Sequence, residues 1–124
     1  MTVANDQLRA LYKKPHKYGA KACMADGHRF PSHKERDRYL ELRTLAMVGE
    51  IKDLKLQPRF ALRIGLVTIA TYVGDFSYYE RDPKLDGARL HHVVEDTKGH
   101  RTRDFILKAK LFQALYPDIE LRIL

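Results

Sequence analysis

Apolar positions recur along the chain at two spacings, and the change from one to the other marks out the elements. Phe105, Ala109, Phe112 and Tyr116 fall at i, i+4, i+7 and i+11, one face of a helix, which predicts a helix over 102–116 that Pro117 stops. An earlier helix of about 16 residues is predicted from the capping-box spacing of Ser32 and Glu35. Tyr39, Leu42, Leu45 and Ala46 form its apolar face, and Gly49 closes it. Between the helices the residues turn β-branched and aromatic, predicting strands over 54–62, 70–79 and 90–98, the last two joined as a hairpin by the loop 82–87. Asp26-Gly27 is the dipeptide of a type I′ turn and predicts a tight hairpin pairing 22–25 with 28–30. Residues 119–124 read as a short final strand, and 5–12 as a short helix near the N-terminus. The order hairpin, α, β, β, β, α, β predicts an α/β domain whose mixed central sheet is flanked by two helices.

Placing the charges on this pattern exposes a candidate chemistry. In Val93-Val94-Glu95-Asp96-Thr97-Lys98 a period of two sets Asp96 and Lys98 on one face, with Glu95 and Thr97 pointing away. Asp75 is the one charge within the apolar and aromatic run 71–79, and a carboxylate so placed needs a partner. Two acids and a lysine on neighbouring strands are the minimum set for metal-dependent phosphodiester hydrolysis. Each residue also has a plainer reading. Glu35 serves equally as the second half of its capping box, Asp96 and Lys98 as a salt bridge on an exposed strand, and Asp75 as a carboxylate at a strand edge. A register one residue off would make Glu95 the ligand in place of Asp96. Gln57, preceding Pro58, is expected to be extended and can reach the site from a neighbouring strand.

Composition narrows the field. A chain of 124 residues makes one domain, able to bury roughly two-thirds of the surface that it exposes unfolded. We divide it into a basic arm, 1–21, and a domain, 22–124. Cys23 is the single cysteine, which fits a reducing compartment and excludes a cysteine-ligated zinc or iron-sulfur site. The histidines at 16, 28, 33, 91, 92 and 100 show no zinc spacing, and His91 and His92 read as structural. No apolar signal core or spanning segment is present, so a soluble cytoplasmic protein is expected. Net charge is +7, and residues 1–38 hold nine Lys or Arg against four Asp or Glu, a balance that suits a polyanion. Lys13, Lys14, Lys17 and Lys21 in the arm, with Gln57, Arg101, Arg103, Lys108 and Lys110, are the candidate nucleic-acid contacts.

The order of elements, with an acid on the first helix, an acid on the second strand and Asp-x-Lys on the third, resembles the PD-(D/E)XK nuclease superfamily. Closer is the similarity to small phage and prophage proteins long known only as a domain of unknown function and related to Holliday-junction resolvases. It runs through Lys17-Tyr18-Gly19-Ala20-Lys21, Asp26-Gly27, Phe30-Pro31-Ser32-His33-Lys34-Glu35, Leu56-Gln57-Pro58-Arg59-Phe60, Tyr72-Val73-Gly74-Asp75-Phe76, Val94-Glu95-Asp96-Thr97-Lys98-Gly99, Lys110-Leu111-Phe112 and Tyr116-Pro117. The resemblance implies a restriction-endonuclease-like core with catalytic Glu35, Asp75, Asp96 and Lys98. It implies Mg²⁺, replaceable by Mn²⁺, on Asp75, Asp96 and the Thr97 carbonyl, with Glu35 orienting a water or a second ion. Gly74 departs from the superfamily pattern, which has proline there; the position supplies no ligand.

The first expectation is therefore a Mg²⁺-dependent endodeoxyribonuclease that cuts branched DNA, as a homodimer, in phage recombination or genome processing inside a bacterial host. The hairpin at 23–30 and the strand at 119–124 are the candidate dimer edges. A nicking or restriction-type nuclease on linear DNA and a non-catalytic DNA-binding module are the alternatives.

Overall fold

A computed structural model describes residues 21–81, 84 and 89–124. The helix expected over 5–12 and the arm lysines Lys13, Lys14 and Lys17 lie outside the described residues. Asp26 and Gly27 have φ of 49° and 77°, as a type I′ turn requires, and close β1 (Cys23–Ala25) on β2 (His28–Phe30). Asp26 then accepts hydrogen bonds from Tyr39 Oη at 2.8 Å and from Arg43, which ties the hairpin to the helix that follows. That helix, α1 (His33–Met47), starts with Ser32 Oγ accepting the Glu35 N–H at 3.1 Å. It ends in a Schellman turn: Gly49 has φ of 84°, its N–H reaches the Ala46 carbonyl, and the Glu50 N–H reaches that of Leu45.

The next stretch corrects the expectation. Among the described residues five strands, not three, lie between the helices: β3 (Ile51–Leu56), β4 (Arg59–Ile64), β5 (Val67–Val73), β6 (Phe76–Arg81) and β7 (Leu90–Asp96). The predicted strand 54–62 breaks at Gln57-Pro58, and 70–79 breaks at Gly74-Asp75. The two breaks answer each other, because the Gln57 N–H donates to the Asp75 carbonyl at 2.9 Å and the Gly74 N–H to the Pro58 carbonyl at 3.0 Å. Gln57 is not extended. It has φ of 49°, a conformation that costs on the order of 1–3 kcal/mol and turns the chain out of one sheet into another. Asp75 accordingly sits in a strand break and not inside a strand. Gly74 is needed there for space: a Cβ would lie 2.7 Å from Val94 Cγ1.

β3, β6, β7 and β8 (Ile119–Ile123) form a four-stranded sheet in the order β3-β6-β7-β8, antiparallel except for the parallel β7–β8 pair, which α2 (Arg103–Leu115) connects. Among the described residues β4 and β5 pair only with each other, as a separate ribbon. Thr102 caps α2 through the Phe105 N–H at 3.1 Å. The successive residues Val93 and Val94 are both fully buried and define the two faces of the sheet. Val93 packs with Phe76, Tyr78, Ile51, Tyr39 and Leu42 under α1, and Val94 with Leu62, Tyr72 and Phe112 under α2. This is a mixed α/β domain with a helix on each face of a mixed sheet. Among the described residues no helix is long and apolar enough to cross a membrane.

Candidate active site

Four chain segments meet at one end of the sheet: the N-terminus of α1, the Gly74-Asp75 break, the end of β7, and the Thr97-Lys98 segment beyond it. They bring Glu35, Asp75, Asp96 and Lys98 together. Glu35, only 4% exposed, turns its carboxyl to hydrogen-bonding range of Asp75, so it caps its helix through its main chain while its side chain joins the acids. Asp96 is 0% exposed. Its Oδ2 accepts the Tyr72 hydroxyl at 2.8 Å, whereas Oδ1 has no hydrogen-bond partner among the described residues and lies 3.8 Å from Lys98 Nζ. That ammonium also sits over the Phe105 ring, 5.4 Å from its centre.

Thr97 departs from the expectation. β7 ends at Asp96, so strand alternation no longer governs the next residue, and Thr97 turns back towards Asp75 instead of away from it. Its N–H and its hydroxyl donate to Asp75 Oδ2 at 2.6 and 2.7 Å. Each aspartate is thus held through one oxygen. Tyr72 and the Thr97 hydroxyl were not among the site residues inferred from the sequence. For Tyr72 there was a signal, since a tyrosine buried in a core needs a partner for its hydroxyl.

Glu95 takes the other face, so Asp96 and not Glu95 joins the cluster. Arg38, one helical turn after Glu35, grips the fully buried Glu95 with Nε to Oε1 at 2.7 Å and Nη2 to Oε2 at 2.6 Å, and Tyr78 adds its hydroxyl. This paired, bidentate carboxylate is structural. Among the described residues the neighbouring cluster has no such bidentate partner, and Lys98 at 3.8 Å from Asp96 stands against three carboxylates. Burial, then the charge of Asp75, its hydrogen bond and the charge of Asp96, push the Glu35 carboxyl up to about 7, against the opposing pull of Lys98. Burial and then the charge of Asp75 push Asp96 up to about 6, while the Tyr72 hydrogen bond and Lys98 hold it down.

A cavity of about 160 Å³ opens beside the cluster, with Glu35, Asp75 and Gln57 on its wall facing His28 and Arg29 of the β1–β2 hairpin. Among the described residues no three His, Cys, Asp or Glu side chains close up as a ready metal cage. What the acids offer is a donor set of hard oxygens, one of them buried and unpartnered. Such a set fits a small divalent cation. Of the other candidate contacts, Lys21, Arg101, Arg103 and Lys110 are exposed, and Lys108 pairs with Asp104 at 3.5 Å.

Fold and site together define a mixed α/β domain that gathers three carboxylates and a lysine at one sheet end. Residues 15–124 match the family described as Protein of unknown function (DUF1064), and the chain belongs to that family. No curated protein and no solved structure matches it.

Proposed function

We propose that the chain is a Mg²⁺-dependent endodeoxyribonuclease acting on branched DNA, with a restriction-endonuclease-like form of the α/β fold. The observation that supports this reading is Asp96, a fully buried carboxylate with one unpartnered oxygen, beside two further acids and a lysine. A buried anionic cluster is unfavourable unless a cation joins it. Asp75 and Asp96 would hold Mg²⁺ or Mn²⁺, with the Thr97 carbonyl as a third oxygen. When bound, such an ion neutralises phosphate charge and makes water a better nucleophile at neutral pH.

The chain's own residues have separate tasks. Thr97 and Tyr72 fix one oxygen of each aspartate, which leaves the other oxygens in a set geometry. Lys98 places positive charge where a phosphate oxygen gains negative charge. Glu35, raised to about 7, has a proton affinity matched to neutral pH and takes the proton that a water loses as it attacks phosphorus and the P–O ester bond breaks. The leaving sugar oxygen takes its proton from solvent. The branched substrate rests on the resemblance to junction resolvases. It requires two cuts related by two-fold symmetry, hence a homodimer, and β8, an edge strand of the main sheet, offers one pairing edge.

The test is incubation of the protein with a four-way junction and a matched linear duplex in Mg²⁺, Mn²⁺ or chelator. Cleavage should need the metal. Asp75→Asn, Asp96→Asn and Lys98→Ala should each slow it on the order of 10²–10⁴-fold while DNA binding persists. DNA bound but never cut in either metal would leave a binding module.

A further inference from the structure

The β4–β5 ribbon has no role in the site so far, and its far end is built unlike the rest of the domain. Near its root Leu62 and Tyr72 are buried beneath Phe112 of α2. Beyond them, residues 63–69 are all exposed. Most of them are apolar: Ile64 is 60% exposed, Leu66 93%, Val67 61% and Ile69 55%. Gly65, with φ of 59°, makes the tight turn that places Leu66 at the tip. Exposed apolar side chains concentrated on one projecting turn mark a contact surface.

The occupant follows from charge and position. Between Asp53 and Asp75 there is no acidic residue, and within the ribbon Arg59 and Arg63 are both exposed, so the ribbon is a cationic strip with an apolar end. A second copy docking there would set arginine against arginine in a chain that already has a net charge of +7. Nucleic acid would be attracted along the strip. The ribbon's root is the Gln57-Pro58 and Gly74 break, hydrogen-bonded to Asp75 itself, so the ribbon starts at the edge of the site. At about 3.3 Å per residue the tip stands roughly 20 Å from that root, about six base steps at 3.4 Å each.

We infer that the ribbon is a DNA-probing arm: Arg59 and Arg63 track the phosphates, and Leu66, supported by Ile64 and Val67, wedges against unstacked bases about six steps from the cut. Apolar side chains inserted at a break in base stacking are a known use of such tips, and a branch point supplies that break already made. The ribbon would then give the preference for branched over linear DNA. This rests on the nuclease reading above, and the experiment separates the two.

The variant is Leu66→Ser with Val67→Asn, and Leu66→Phe keeps the wedge apolar. Wild type, both variants and the inactive Asp96→Asn are compared on a junction and a linear duplex that carry 2-aminopurine about six steps from the cut. The polar tip should lower the junction-to-linear cleavage ratio at least tenfold and leave the linear rate within twofold, while Leu66→Phe keeps the ratio. In chelator the fluorescence rise on junction binding should appear with wild type and Asp96→Asn and vanish with the polar tip. A wild type that cuts nothing defeats the nuclease reading alone, because the fluorescence still reports on the arm. An unchanged ratio with an unchanged fluorescence rise overturns the arm. So does a polar-tip variant that sediments as a monomer where wild type is a dimer, which would assign the tip to a second copy.

Discussion

Tyr72→Phe removes one oxygen from the centre of the cluster and leaves the ring where it packs, 4.9 Å from Phe112 and 6.3 Å from Phe105. What is lost is the 2.8 Å hydrogen bond to Asp96 Oδ2. Because Oδ1 has no hydrogen-bond partner among the described residues, the buried carboxylate would then have neither oxygen hydrogen-bonded. A hydrogen bond to a charged group contributes about 1.5–3 kcal/mol and one between neutral groups about 0.5–1.5. The loss should therefore depend on whether Asp96 is ionised. In the folded protein Asp96 sits at about 6, above the ordinary 3.8, so the folded state holds the proton longer and stability falls as pH rises through that window. The Tyr72 bond restrains the rise; without it the window should extend roughly one unit further up. Thermal melts in chelator between pH 5 and 8 measure this. At pH 5 the variant should melt roughly 2–6 °C below wild type, and at pH 8 roughly twice as far below. Mg²⁺ should also bind the variant more weakly near pH 7, where a proton must first leave Asp96. A melting difference that is the same at every pH would refute the reasoning.

Glu35→Gln should keep the α1 cap, which uses the main-chain N–H, and should lower cleavage about 10²–10³-fold; full activity in the variant would remove Glu35 from the chemistry. Gly74→Ala puts a methyl group 2.7 Å from Val94 Cγ1 and should cost about 1–3 kcal/mol in urea denaturation, with Val94→Ala in the same chain recovering part of it. Glu35 at about 7 in the folded state, against 4.5 ordinarily, means that stability in chelator falls between about pH 4.5 and 7, by about 3 kcal/mol. Mg²⁺ should reverse most of that loss, so its effect on the melting temperature should be larger at pH 8 than at pH 5.

The helices were legible because their signals are local: Ser32, Gly49, Thr102 and Pro117 act within one turn of their own positions. The hairpin at Asp26-Gly27 was legible for the same reason. The splitting of two strands into four was not, because each break is held by a main-chain bond to the other, from Gln57 to Asp75 and from Gly74 to Pro58. No local propensity encodes such a pairing. Within the site, the period of two placed Asp96 and Glu95 correctly on opposite faces. It failed at Thr97, one residue past the strand's end, where the chain is free to turn. Tyr72 and Arg38 escaped notice because their partners, Asp96 and Glu95, lie 24 and 57 residues away in sequence.

The Arg38–Glu95 pair works as a locating pin. A helix lying on a sheet is free to creep along its own axis, and one notch of such travel, a full turn, is about 5.4 Å. Arg38 and Glu35 share one side of α1, and Glu95 and Asp96 are consecutive on β7. The two-pronged grip of the guanidinium, at 2.7 and 2.6 Å, stops that creep on the α1 face of the sheet, the face away from Asp96. Loosening it would leave every member of the cluster intact and simply move Glu35 out of alignment with Asp75.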